Sequence, residues 1–327
     1  MSTTMTPPVP DTSFRHEALL YAGEAEFVDR TLPFIRDGLD ADEPTLVVVD
    51  AAKIERLRAA LDGDADRVHF TDMAVVGHNP ARIIPAWRAF VDEHRGTGRQ
   101  LRGIGEPISA TRSPAELVEC QRHESLLNVA FDGAPAWWLV CPYDTETLDA
   151  GIIDEARRSH PFMWQGDDHR VSPTCRDLAT MAAPVAAPLP EPEAPYRTFS
   201  FEGLSSLPLV RSFVADAAVA GGLGPVPTVE LVAAVHELAA NSVRHGGGEG
   251  LLRAWLDRDA VMCEVRDRGH LDQPLAGRES PAVDSDGGRG LWLANQFSDL
   301  MQIRSSDAGT VVRVHKSRRA VPSSSTR

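Results

Sequence analysis

Glu237 and Asn241 stand four residues apart in His236-Glu237-Leu238-Ala239-Ala240-Asn241-Ser242-Val243-Arg244-His245, a stretch free of Pro and Gly. On a helix that spacing puts both side chains on one face, one turn apart. They then offer a carboxylate base and a metal-binding amide. Further on, Asp267-Arg268-Gly269 follows the strand-like Val261-Met262-Cys263-Glu264-Val265. A carboxylate at a strand end can accept a hydrogen bond from an exocyclic amine such as adenine's. A third block, Gly287-Gly288-Arg289-Gly290-Leu291, opens a helical segment beginning near Leu291, and free backbone N–H groups at a helix start suit phosphate oxygens. In this order the blocks describe an ATP site. Spacing alone does not: Glu124 and Asn128 repeat Glu-x-x-x-Asn with no glycine block behind them, and Gly221-Gly222-Leu223-Gly224 reads as a helix stop and loop.

The ordered set resembles the N, G1 and G2 boxes of the ATP-binding superfamily shared by gyrase, certain chaperones, sensor histidine kinases and mismatch-repair proteins (GHKL). Glu-x-x-x-Asn-x-x-x-His and the closing strand Gly309-Thr310-Val311-Val312 are most similar to its anti-sigma serine/threonine kinase branch, over roughly residues 197 to 316. The resemblance implies Glu237 as catalytic base, Asn241 as the Mg²⁺ ligand, Asp267 as the adenine reader, and Gly288 with Gly290 beside the phosphates. The same carry-over adds His245, Gly269, Leu291 and Thr310 to the nucleotide-binding set. The family's G1 block is usually Asp-x-Gly-x-Gly, whereas His270 and Leu271 follow Gly269 here. A departure from the usual loop geometry is therefore expected.

The elements that must hold these groups can be read around them. Tyr196 to Phe201 predicts a strand, and Leu207 to Ala220 a helix with Ser206 as its cap and Pro208 in its first turn. Thr228 is the expected cap of the helix carrying Glu237 and Asn241, with Leu231, Val235, Leu238 and Ser242 at helical period. Leu251 to Leu256 and Ala260 to Arg266 predict a hairpin about Asp257-Arg258-Asp259, and two closing strands flank Asp307-Ala308-Gly309. Asp272 to Asp286, rich in Gly, Pro, Asp and Ser, reads as a lid between the adenine and phosphate blocks. The expected architecture is an α/β sandwich with one mixed sheet and helices on one face.

Before the linker, strands and helices alternate. A helix near Ala25 to Asp37 leads to the buried strand Thr45 to Val49. There follow a helix at Ala51 to Leu61, a strand at Arg67 to Phe70, a helix at Pro80 to His94 and a strand at Gln100 to Ile104. A helix at Pro114 to Phe131 and a strand at Ala136 to Cys141 complete the series. This predicts a doubly wound parallel sheet. Phe14-Arg15-His16-Glu17, Phe34-Ile35-Arg36-Asp37-Gly38-Leu39, Arg122-His123-Glu124 and Leu139-Val140-Cys141-Pro142-Tyr143-Asp144 resemble the MEDS sensory domain, a relative of RecA/KaiC-type ATPases. Where such a relative carries Gly-Lys-Ser/Thr, this chain has Tyr21-Ala22-Gly23-Glu24-Ala25-Glu26. That loop lacks the lysine and should not bind phosphate, so a receiver of an unknown small ligand is expected. His16, His123 and His160 with Cys120 or Cys141 are residue types that suit transition metals, but their spacing shows no paired metal signature. Trp137-Trp138 reads as core packing.

The 327 residues thus divide into a MEDS-like sensory domain at 13–170, a Pro/Ala-rich linker at 171–195, a GHKL ATP-binding domain at 196–317 and a disordered tail at 318–327. Five prolines between Ala182 and Pro195 predict a semi-rigid extended spacer. A net charge of −14 repels nucleic-acid phosphates and argues against direct nucleic-acid binding. No apolar run approaches the ~20 residues that span a bilayer, the first residues lack a signal-peptide pattern, and the four cysteines form no Cys-x-x-Cys pair. A soluble cytoplasmic protein with reduced thiols is expected.

The leading functional expectation is an ATP- and Mg-dependent anti-sigma regulatory kinase. The resemblance implies an anti-anti-sigma (STAS-type) protein as serine/threonine substrate and a sigma factor as alternate partner; a homodimer is left open. One alternative is a sensor histidine kinase using His16 or His123 as phosphoacceptor, although a proline-rich segment precedes the ATP domain instead of a long helical hairpin. Another is a non-transferring, ATP-responsive antagonist that sequesters a partner.

Overall fold

Thr45-Leu46-Val47-Val48-Val49 has no polar alternation, and all five residues are buried, as in a strand covered on both faces. It is the second strand of the computed structural model, which describes residues 14–134, 136–185, 187–281 and 288–318. The chain divides between Ala182 and Ala183 into two units. Among the described residues no helix is long and apolar enough to cross a membrane.

The first unit runs β1 (Phe14–Tyr21), α1 (Gly23–Asp40), β2 (Thr45–Val49), α2 (Ala51–Leu61), β3 (His69–Asp72), α3 (Met73–Val76), α4 (Ile83–Glu93), β4 (Leu101–Gly105) and α5 (Pro114–Ala130). It continues with β5 (Trp137–Asp144), α6 (Ala150–Ser159), β6 (Phe162–Gln165), β7 (Asp168–Val171) and α7 (Leu178–Ala182). Its sheet has the order β3-β2-β4-β5-β1-β6-β7. Every ladder is parallel except the edge pair β6–β7. Sequence periodicity missed β1, α6 and the β6–β7 hairpin. One face of the sheet, including Leu19, Tyr21, Val47, Val49 and Val140, packs on Phe27, Phe34 and Ile35 of α1 and Leu57 and Leu61 of α2.

The opposite face meets an unusual helix. Ser113 and Glu116 form a capping box at the start of α5, yet its middle turns bury Glu119, His123, Glu124, Ser125 and Asn128. Burial, with His160 beside it, lowers the His16 imidazole to about 4. In the β1–α1 loop, Ala22 N–H donates to Glu26 Oε2 (2.8 Å) and Gly23 N–H to Asp144 Oδ1 (3.2 Å). Carboxylates of the chain itself thus take the donors that a phosphate would need.

The second unit runs β8 (Arg197–Glu202), α8 (Leu207–Ala220), α9 (Pro225–His245), β9 (Glu249–Asp257), β10 (Ala260–Asp267), α10 (Arg289–Phe297), β11 (Leu300–Ser306) and β12 (Gly309–Ser317). Its sheet order is β11-β12-β10-β9-β8, and Val210, Val214, Leu231, Val235 and Leu238 of the helices share one core with Leu252, Cys263, Val265 and Val314. The sheet is antiparallel in every ladder, where a mixed one was expected. Two helices in succession between β8 and β9 return the chain reversed. The single crossover through α10 does make β10 and β11 run the same way, but β12 lies between them. Two caps also differ from expectation: α9 begins at Pro225 behind Gly224, so Thr228 lies inside the helix, and Ser206 donates to Gly203 O without capping α8.

The proline stretch is not a free spacer. Leu189 is buried, Arg313 donates to Pro190 O at 2.7 Å, and Glu191 accepts from Arg253 (2.8 Å) and Arg266 (2.9 Å). Beneath it lies Glu264, fully buried and paired with Arg313 (2.7 Å) and Arg266 (2.6 Å). A proline-rich stretch short of N–H donors still presents the Pro190 carbonyl and the Glu191 carboxylate to three guanidinium groups. The tail beyond residue 318 lies outside the described residues. Glu264→Gln leaves those cations without their buried counter-charge and is expected to destabilise the second unit by about 3 kcal/mol. Glu191→Gln, at an exposed position, should cost far less. Denaturant titration of the full chain, read by hydrogen exchange in β9 to β12, checks the order; equal costs would mean that Glu264 does not anchor the network.

Candidate nucleotide-binding site

Pro225 and Pro227 sit in the first turn of α9, where missing N–H groups are harmless. The helix then buries Leu231, Ala234, Val235, Leu238 and Ala239 and ends at Gly246, whose N–H closes on Ser242 O at 2.8 Å. Glu237, Asn241 and His245 follow one another at four-residue steps on its other side.

Asp267 ends β10 opposite Thr310 of β12. Ser242 Oγ donates to Asp267 Oδ2 at 2.5 Å, and Gly269 N–H donates to Asp267 Oδ1 at 2.8 Å. Each carboxylate oxygen keeps a second lone pair for a further donor. A Cβ on Gly246 would overlap this carboxylate, so the end of α9 approaches Asp267 closely only as glycine. The loop without a second G1 glycine is held from the closing hairpin. Thr310 Oγ1 donates to Gly269 O (2.8 Å), Leu271 N–H donates to Ser305 Oγ (2.9 Å), and the two hydroxyls are 3.2 Å apart.

Gly288 takes the left-handed conformation (φ 82°) and is the N-cap of α10. Two residues on, a Cβ at Gly290 would lie 3.0 Å from the Asn241 amide nitrogen and 3.1 Å from Glu237 Oε2. The first turn of α10 therefore rests directly over the carboxylate and amide of α9. A cavity of about 430 Å³ runs between these poles, with Asn241, His245, Asp267, Gly269, Gly288, Gly290, Leu291 and Thr310 in its wall. Glu237 is the one site residue from the sequence outside that wall, reached through Gly290.

The structure adds Ser242, Gly246 and Gly277 to the wall. Ser242 looked like part of an apolar stripe, and Gly246 like an ordinary helix stop. Of the expected lid, 272–281 is described: it turns at Gln273–Ala276 and Leu275–Arg278, buries Gly277 and Arg278, and accepts from Asn295 of α10 at Gly277 O (2.9 Å). That half is anchored despite its polar composition; residues 282–287, which include Gly287, lie outside the described residues. A bipolar cavity with a carboxylate acceptor at one end and a helix start over an amide and carboxylate at the other fits a purine nucleotide.

Residues 203–316 match the family model described as histidine kinase-like ATPase domain. The second unit is a histidine kinase-like ATPase domain. Residues 15–161 match MEDS, the methanogen/methylotroph, DcmR sensory domain. The chain thus joins a MEDS sensory domain to an ATPase domain of the ATP-binding, GHKL kind. No curated protein matches it. Among solved structures, the RsbU and RsbW domains of Rv1364c from Mycobacterium tuberculosis are similar over 38% of this chain, at 19% identity and a TM-score of 0.30. The matched region spans about a third (32%) of that chain.

Because Asp267 in the ATPase domain is held by Ser242 and admitted by Gly246, two substitutions test its position. Ser242→Ala is expected to weaken ATP binding by roughly tenfold, the effect of one lost hydrogen bond to a charged group. Gly246→Ala should weaken it further by displacing the carboxylate. Isothermal titration with Mg-ATP decides; wild-type affinity in both variants would refute Asp267 as the anchor of the pocket.

Proposed function

We propose that this chain is an ATP-dependent serine/threonine kinase of the anti-sigma type. It would phosphorylate an anti-anti-sigma (STAS-type) partner, hold a sigma factor in alternation, and be controlled by its MEDS domain. The observation that carries this reading is the seating of Gly290, in the wall of the cavity that also holds Asn241 and Asp267, directly over Asn241 and Glu237. That arrangement supports a nucleotide whose base meets Asp267 and whose phosphates meet the start of α10. Bound Mg-ATP supplies the phosphoryl group. Asn241 offers its amide oxygen to the metal, and Gly288 and Gly290 leave room for phosphate oxygens. His245, Gly269, Leu291 and Thr310 complete the wall. Glu237 takes the proton from the partner's Ser or Thr hydroxyl.

In this reading 13–170 senses, 171–195 connects and 196–317 binds ATP, with the cytoplasm as the site of action. Nucleic acid is no direct partner for a chain of charge −14. The histidine-kinase alternative loses support because His16 and His123 are each only 1% exposed, which closes them to a phosphoryl donor. Incubating the full chain with labelled ATP and proteins captured from its native cytosol separates the readings. A labelled small partner supports the proposal; label on the chain itself, or capture without label, overturns it.

Two variants divide binding from chemistry. Asn241→Ala should abolish Mg-ATP binding. Glu237→Gln should hold ATP within a few-fold of wild type while phosphoryl transfer falls by on the order of 10²-fold or more. Isothermal titration beside a transfer assay reads both, and undiminished transfer by Glu237→Gln would remove it as the base.

Base choice is a further check. GTP presents a carbonyl where ATP has its amine, so Asp267 would face an acceptor, at a cost of about 1 to 3 kcal/mol. Competition titration should favour ATP by about 5- to 150-fold; equal affinities would rule out this role for Asp267.

A further inference from the structure

Four side chains of the MEDS domain converge in one buried cluster to which no role has been assigned. His16 comes from β1, Glu124 from α5, Cys141 from β5, and His160 from the residue after α6. Their ligand atoms all lie within 4.8 Å of one another. His16 Nε2 is 3.2 Å from Glu124 Oε2 and 3.3 Å from Cys141 Sγ, and His160 Nε2 is 3.2 Å from the same Glu124 oxygen. None of the four is more than 1% exposed.

The hydrogen bonds around the cluster settle which atoms face inward. His160 Nδ1 lies 2.9 Å from Ala156 O, a carbonyl that can only accept, so Nδ1 carries a proton, and the neutral ring then presents a lone pair at Nε2. Asn128 Nδ2 donates to the carbonyls of Glu124, Ser125 and Ser159. That fixes the amide so that its oxygen faces His16 Nδ1 at 3.2 Å, and His16 too must carry its proton on Nδ1. With both rings neutral, two imidazole lone pairs, a carboxylate and a thiol sulfur point at one another among fully buried side chains. Glu124 Oε1 and His160 Nε2 have no hydrogen-bond partner. Buried acceptors facing acceptors are unfavourable unless something positive lies among them.

We infer that the sensory domain holds one divalent borderline transition cation, of which zinc is the best fit, through His16 Nε2, His160 Nε2, a Glu124 oxygen and the Cys141 thiolate. Tetrahedral zinc with bonds of about 2.0 to 2.3 Å sets neighbouring ligand atoms roughly 3.3 to 3.8 Å apart, and the shortest separations here need only a small outward shift. The thiolate disfavours magnesium and calcium. Two neutral imidazoles and two anions balance a dication, and the thiol proton leaves to the buffer on loading. Asn128 and the Ala156 carbonyl orient the rings from behind, as outer partners of metal-bound histidines do. With four protein ligands the site is closed and ties β1 and β5 to α5 and the end of α6.

The test uses the full chain, freed of metal with a chelator and reloaded with Zn²⁺ alone or Co²⁺ alone. Elemental analysis should find about one zinc per chain. X-ray absorption at the zinc edge should show one sulfur among three nitrogen or oxygen neighbours. The cobalt form should show a thiolate-to-metal charge-transfer band that Cys141→Ser removes, and Asn128→Ala should weaken zinc binding by about 10- to 100-fold. Failure to take up an equivalent of zinc, a wild-type zinc shell without sulfur, or a cobalt band that survives in Cys141→Ser would each overturn the assignment. The absorption measurement needs no variant, so a misfolded substitution cannot leave the question open.

Discussion

The ATPase domain is organised by a single close approach, that of Asp267 to the C-terminal end of α9. The carboxylate is held by Ser242 from the helix and by the Gly269 N–H from its own loop. The approach requires glycine at 246, because any side chain there would occupy the carboxylate's place. Once α9 is tied to β10 at this point, Asn241 and Glu237 fall at set distances along the same helix. The cavity wall is then completed by β12, whose Thr310 holds Gly269 from the far side. One hydrogen-bonded carboxylate thus sets the spacing between its own end of the cavity and the end beneath Gly290.

Buried charge is handled in opposite ways in the two units. In the ATPase domain, Glu264 sits among Arg253, Arg266 and Arg313, and the segment at Leu189 to Glu191 adds a carbonyl and a second carboxylate. Every group there meets one of opposite character, which offsets the cost of removing ions from water. In the MEDS domain, Glu124 faces two imidazole nitrogens and a sulfur, which with neutral rings are all electron-pair donors. A network of guanidinium groups around a carboxylate is self-sufficient, whereas a cluster of acceptors is not. That contrast between the two units is what makes the second cluster a candidate for a cation.

In the β1–α1 loop the donors that a phosphate would need are already used within the chain. Its N–H groups at Ala22 and Gly23 already donate to Glu26 and Asp144. Beside it, Tyr21 donates to Glu106 at 2.6 Å and Lys53 to the same carboxylate at 2.5 Å, so a cation at the strand ends is paired internally. A phosphate would have to displace carboxylates from all of these positions.

The sequence by itself determined the two-part organisation, most of the strands and helices, and the three blocks that line one cavity. Those features are local: a four-residue helical step, a β-branched run and a glycine before a helix each follow from a few neighbouring residues. The resemblance grouped Gly288 and Gly290 with Asn241 in one set, and the structure brings all three into the wall of one cavity. Only the tertiary structure decided that Ser242 faces Asp267 and not the apolar core, that the proline stretch from Leu189 to Glu191 is pinned to arginines of the sheet, and that the C-terminal sheet is antiparallel in every ladder. It alone selected Glu124 with His16, Cys141 and His160, leaving His123 and Cys120 outside the cluster. Residues separated by more than a hundred positions meet there because β1 and β5 are neighbours in the sheet, with α5 packed beside them. No period or spacing along the chain encodes which strands will pair.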